Sequence, residues 1–216
     1  VFWNHPNYIR QRKDGIARLD PYHVYLIKNK LLHGIEVVNN NTFSEEAFEL
    51  ALENNLTILG TSDIHGLTDW EFKISEGGHR PITFVLSKSK SEEDIHAGLT
   101  NKKTFIWFND LLIGSEKNLI PILYSNLIIS SNGYKSKTIL AEIILKNHSS
   151  IPIKLEYLGD YSLHENSKMI EIDPYSSKKI LIKTKDYLKK VKLSFRVLNA
   201  LISPKENAIL SYDISI

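Results

Sequence analysis

The stretch Leu56-Thr57-Ile58-Leu59-Gly60-Thr61-Ser62-Asp63-Ile64-His65-Gly66 joins an apolar run to a knot of polar residues. Residues 56–61 read as a buried strand, and everything after Thr61 reads as a loop leaving its end. Asp63 and His65 are two positions apart, so an extended backbone would aim both side chains the same way. A carboxylate and an imidazole converging on one point suit a hard-to-borderline cation such as Zn²⁺, Mn²⁺ or Fe²⁺. The plainer alternative is an Asp that caps a turn with a His donating to it. Gly66 permits a sharp departure from the site.

Working outward, the same grammar recurs. Residues 1–3 form a short apolar strand followed directly by Asn4-His5-Pro6. Pro6 is expected to push His5 into extended backbone, projecting its ring. Residues 19–32 suggest a helix with Asp20 as N-cap and Pro21 at its first position. Residues 35–38 are a strand. A helix follows at about 44–54, opened by a Thr42/Glu45 capping box or by Ser44. Residues 81–87 are a strand, Ser91 with Asp94 opens a helix to about 102, and residues 104–108 close the series. Alternating strands and helices of this length imply right-handed βαβ units and a parallel sheet or barrel, where residues just past the strand ends gather at one functional face.

The pattern changes near Gly114. From about residue 119 no long helical period is expected. Seven short β-branched runs recur instead, at 127–130, 138–146, 153–157, 169–172, 179–184, 191–197 and 208–214. Turn-rich stretches such as Ser130-Ser131-Asn132-Gly133 separate them. This spacing predicts an all-β, immunoglobulin-like antiparallel sandwich. The expected division is 1–115 and 116–216.

Bulk composition narrows the function. The 216 residues are 42% hydrophobic and 24% charged, ordinary values for a soluble globular protein. A net charge of +2 argues against a nucleic-acid surface. The lysines Lys178, Lys179, Lys183, Lys185, Lys189 and Lys190 read as a solvated face in preference to a phosphate-binding stripe. With no Cys, disulfides, thiolate metal sites and Cys nucleophiles are excluded. No apolar run reaches the ~18 residues of a membrane helix, and no signal-peptide pattern opens the chain. A soluble protein follows, in cytoplasm or periplasm alike. An apolar strand already under way at Val1 suggests a fragment.

Taken in order, Asn4-His5-Pro6, Gly34-Ile35-Glu36-Val37-Val38-Asn39 and, about 57 residues after the first, Ser62-Asp63-Ile64-His65 resemble the polymerase-and-histidinol-phosphatase (PHP) superfamily of metal-dependent phosphoesterases. Arg80-Pro81-Ile82-Thr83-Phe84-Val85-Leu86 and Lys103-Thr104 look like members active on phosphodiesters. The resemblance covers about residues 1–114 and implies the C-terminal part of a distorted (β/α)₇, TIM-like barrel. It implies that His5, Asp63 and His65 are metal ligands within a cluster of two or three Zn, Mn or Fe ions. Asp63 and His65 would also take part in the chemistry, His65 as ligand or as proton donor to the leaving group. Asn4, Glu36, Asn39, Trp70 and Arg80 are candidates for orienting a ligand or binding substrate. Trp3 and Trp107 are expected in the core.

The sequence departs from the family in one respect. The family opens with a His-x-His pair, further His residues and a bridging Glu, and no His-x-His exists here. These 216 residues are therefore expected to lack a complete metal site, with the N-terminal half of the barrel missing. In the intact protein the implied activity is hydrolysis of a small-molecule phosphate ester, with neither nucleic acid nor membrane as partner. The alternative is a non-catalytic binding or assembly module built on a barrel remnant and a β-sandwich. A polymerase-associated domain is disfavoured by the near-neutral charge and the lack of polymerase sequence.

Overall fold

A computed structural model describes residues 1–165 and 167–216. The chain divides into two compact units: Val1–Asn118 with Leu201–Glu206, and Leu119–Ala200 with Asn207–Ile216.

The first unit begins with β1 (Phe2–Trp3), α1 (Pro21–Lys28), β2 (Gly34–Asn39), β3 (Thr42–Phe43), α2 (Glu45–Glu53) and β4 (Thr57–Thr61). β2 is central. It pairs in parallel with β1 (Phe2↔Gly34, Trp3↔Ile35) and with β4 (Gly34↔Thr57 through Asn39↔Thr61). Gly34 is required here, because a Cβ would stand 2.6 Å from the Phe2 ring and 2.7 Å from the Thr57 carbonyl. Both faces of β2 are buried, so Ile35, Val37 and Val38 do not alternate with exposed polar residues, and its one charged residue, Glu36, is buried with them. α2 lays Ala47, Phe48 and Ala51 onto this sheet, the i, i+1, i+4 pattern of a buried helix face. They join Ile35, Val37, Val38, Ile58, Ile106 and Ile113 in one core. Burying Phe48 completely contributes about 2–3 kcal/mol. Ser44 is the cap that starts α2, its hydroxyl accepting from the Ala47 N–H at 3.2 Å. Thr42, the other capping candidate, lies in β3.

Then follow α3 (Thr68–Glu71), a single 3₁₀ turn at Ile74–Glu76, β5 (Ile82–Val85), α4 (Glu92–Thr100), β6 (Thr104–Phe108) and β7 (Leu111–Gly114). Ser91 caps α4 through the Asp94 N–H. The expectation of parallel pairing fails in this part. β5 and β6 are antiparallel (Ile82↔Trp107, Val85↔Thr104), although α4 lies between them, and β6 turns through Asn109 (φ 51°) into antiparallel β7. The sheets are therefore mixed.

The region beyond residue 115 also holds a helix that periodicity did not announce: α5 (Glu116–Asn126), with Pro121 inside it. Leu119 and Leu123 are its buried residues in the second unit, and Pro121 obscured the pattern. The strands are β8 (Leu127–Tyr134), β9 (Leu140–Asn147), β10 (Ile153–Tyr157), β11 (Ser162–His164), β12 (Met169–Ile172), β13 (Ser177–Lys183), β14 (Lys190–Ser203) and β15 (Glu206–Ser215). One sheet runs β11-β13-β9-β8. In the other, β10 lies between β12 and β14, and β15 pairs with β14. Ser130-Ser131-Asn132-Gly133, read as a turn, is instead strand carrying a bulge, with Gly133 at φ 83° absorbing it. Alternation supplies the packing: Ala141, Ile143 and Leu145 of β9 face inward with Ile180 and Ile182 of β13.

Candidate metal centre

Parallel pairing decides where the chemistry collects. β1, β2 and β4 run in one direction, so the residues that follow Trp3, Asn39 and Thr61 emerge at the same end of the sheet. His5, Asn40 and Asp63 sit there with φ of 50°, 49° and 47°, three residues in the left-handed region. Such backbone costs about 1–3 kcal/mol per residue and persists only where neighbours enforce it.

The enforcing contacts are visible. The His5 N–H donates to Glu36 Oε2 at 2.7 Å, and the His5 carbonyl accepts from the Tyr8 N–H at 3.1 Å across a Pro6-Asn7 turn. His5 is thus not extended, as Pro6 had suggested; a buried acceptor and a turn hold it in the left-handed region. The other Glu36 oxygen accepts from the Thr61 hydroxyl. Glu36 is 2% exposed, and a carboxylate that deep must be satisfied by donors. The Asn40 N–H donates to the Thr61 carbonyl at 3.0 Å, tying the ends of β2 and β4 together. Asp63 likewise breaks the extended geometry assumed for the Asp63/His65 pair.

The side chains nevertheless converge. Asp63 Oδ1 lies 3.9 Å from His5 Nε2 and 3.6 Å from His65 Nε2. Exposure rises outward, from Glu36 through Asp63 (36%) and His5 (41%) to His65 (89%). His5 Nδ1 is 3.1 Å from Glu36 Oε2 and 3.1 Å from the Asn39 side-chain amide. Two arrangements satisfy Asn39. With its NH₂ towards His5, Nδ1 accepts and Nε2 carries the proton. With the amide turned over, its oxygen accepts from Nδ1–H and Nε2 is left with a lone pair. Only the second lets His5 Nε2 ligate a cation, and the anionic Glu36 beside Nδ1 favours it.

The structure thus brings together His5, Asp63, His65, Glu36 and Asn39. Thr61, to which no role was given, joins them through Glu36; its only sequence signal is that it ends β4 two residues before Asp63. Asn4 is exposed. Trp70 is 80% exposed on α3. Arg80 is exposed, its guanidinium 3.5 Å from the Pro81 carbonyl. No hydrogen bond or ion pair joins Trp70 or Arg80 to the three converging residues among those described. Trp3 is half-buried and stacks on His23 with ring centroids 3.9 Å apart; Trp107 is half-buried beside His79, at 4.0 Å.

Two imidazole nitrogens facing one carboxylate oxygen are a donor set that a borderline divalent ion accepts. They fit as part of a site: among the described residues no group of three or more His, Asp or Glu is disposed to hold a metal ion by itself.

The family DUF5001, an Ig-like domain, matches residues 127–213. The chain is similar, at 30% identity and a TM-score of 0.86, to the crystal structure of a two-domain protein containing a predicted PHP-like metal-dependent phosphoesterase from Bacteroides vulgatus ATCC 8482. That likeness covers 100% of this chain but 61% of the other, so this chain spans less than two thirds of its relative's length. No curated protein matches. No helix among the described residues is long and apolar enough to cross a membrane.

Proposed function

We propose that this chain is part of a PHP-type metal-dependent phosphoesterase that hydrolyses a small-molecule phosphate ester. In this reading the first unit holds the C-terminal portion of its barrel and the second unit is the appended sandwich. The observation that carries the reading is the meeting of His5, Asp63 and His65 past the ends of parallel strands β1 and β4. The likeness to a protein with a predicted PHP-like phosphoesterase domain supports it.

In this reading Asp63 offers an anionic oxygen and His5 offers Nε2. Glu36 and Asn39 hold the His5 ring and its tautomer. The remaining ligands come from outside these 216 residues, since two imidazoles and one carboxylate do not hold two or three ions. A bound divalent ion would supply Lewis acidity and a water of lowered pKa. His65, the most exposed of the three, either completes the donor set or delivers a proton to the leaving-group oxygen.

The test is metal analysis of the full-length protein together with hydrolysis of bis-p-nitrophenyl phosphate in Mn²⁺. Asp63→Ala and His5→Ala should each lower turnover by more than the about 10–100-fold typical of losing a ligand's supporting partner, while circular dichroism stays unchanged. Full turnover in either variant refutes the assigned role. A full-length protein free of metal and inactive would favour a non-catalytic module.

A further inference from the structure

The second unit carries a cleft whose chemistry the hydrolytic reading does not use. Lys183 of β13 stands opposite Leu140 of β9, and His164 of β11 stands opposite Leu181, two residues along from Lys183. Strand alternation therefore puts Leu140, Lys183 and His164 on one face, with Ile180 and Ile182 buried on the other. With Lys137, Ile139 and Tyr187 they line an open surface cleft of about 410 Å³.

The lining is one-sided in charge. None of the described residues that line the cleft is acidic. Lys179, on the same strand as Lys183, is matched by Glu142 at 3.0 Å, and His164 lies 3.4 Å from the Glu165 carboxylate. Lys137 and Lys183 have no carboxylate partner among the described residues. The cleft also has a fixed aromatic wall. Tyr187 is 64% exposed, yet its ring meets Tyr134 edge-on, with centroids 4.9 Å apart at 76°. The Tyr134 hydroxyl accepts from the Leu188 N–H at 2.8 Å and lies 3.2 Å from the Thr184 hydroxyl, so the loop carrying Tyr187 is pinned on both sides. A pinned phenol gives contact area at little entropic cost.

We propose that this cleft binds a sugar ring carrying a phosphate or a carboxylate, its anion held by Lys137 and Lys183 and its C–H face laid on Tyr187. Two unmatched ammonium groups select an anion. A bare inorganic anion would leave Tyr187, Ile139 and Leu140 without a role; a ring covers them. The site stands on the second unit alone and is independent of the chemistry proposed at His5.

Isothermal titration of the 216-residue chain tests this with glucose 6-phosphate and with polygalacturonate, against glucose and inorganic phosphate. Saturable binding of either anionic sugar supports the site: the first alone marks a phosphorylated small sugar, the second alone a uronic-acid polymer. Lys183→Gln and Tyr187→Ala should each weaken it about tenfold or more. Thermal unfolding of Lys183→Gln, whose side chain is exposed, should be unchanged. Absence of binding by both anionic sugars, equal binding of inorganic phosphate, or unaltered affinity in Lys183→Gln would overturn the proposal.

Discussion

Glu36 is the residue on which the candidate centre depends mechanically, and its replacement should separate a carboxylate that organises the site from one that merely ends a strand. Its two oxygens accept from the His5 N–H and the Thr61 hydroxyl, joining the ends of β1 and β4 through β2. Glu36→Ala removes both acceptors. Each donor left unpaired costs about 1–3 kcal/mol, reduced at His5 because water can reach it. Half-buried His5 then also loses the contact that offsets its left-handed backbone. A net loss of about 2–4 kcal/mol follows. Glu36→Gln behaves differently. Its carbonyl oxygen can accept from His5 while its NH₂ donates to the Thr61 oxygen, which rotates to receive it. That variant loses only the charge-assisted part of the bonds, about 1 kcal/mol. The assay is urea unfolding followed by tryptophan fluorescence, which reports the first unit selectively because Trp3, Trp70 and Trp107 all lie there. The midpoint should fall in the order wild type, Gln, Ala, with an unchanged m-value. An Ala variant within ~0.5 kcal/mol of wild type, the usual range for a surface substitution, would refute the claim that Glu36 holds His5 in place.

His23 gives the first unit a pH dependence. Its Nδ1 accepts from the Asp20 N–H at 3.1 Å at the start of α1, and burial, opposed only in part by the Asp20 charge, pushes its pKa below the ordinary value. The unfolded chain therefore takes up the proton first. Stability is full above about pH 6.5 and declines as pH falls from there through the lowered folded value; a His23→Gln variant should show a flatter melting-temperature profile between pH 7 and 5, and an equally steep one would exclude His23 as the cause. In the second unit, fully buried Asn147 donates to the Ile151 and Asp173 carbonyls and accepts from the Ser149 N–H and hydroxyl. Asn147→Ala should cost about 2–4 kcal/mol by chemical denaturation monitored by circular dichroism, and a cost below ~1 kcal/mol would mean the 147–151 turn holds itself together.

What the sequence made legible was where strands stop. Three strands expected to end at Trp3, Val38 and Thr61 implied parallel neighbours, and that order alone brings His5, Asp63 and His65 to one end without any knowledge of side-chain geometry. Both helix starts at Ser44 and Ser91 were legible because a cap is a local signal. Less legible was everything set by contacts far apart in sequence. The antiparallel turn of β5 against β6 was hidden because an intervening helix normally signals a parallel crossover. The conformation of His5 was misread because the local rule for a residue before proline was outweighed by a carboxylate 31 residues away. The same contact explains why the error mattered little. A residue forced out of its preferred backbone needs an enforcing partner, and here that partner is also the group that bears on the imidazole's tautomer. The strained φ at His5 and the buried charge at Glu36 are thus two sides of one arrangement, in which the cost of each is offset by the other.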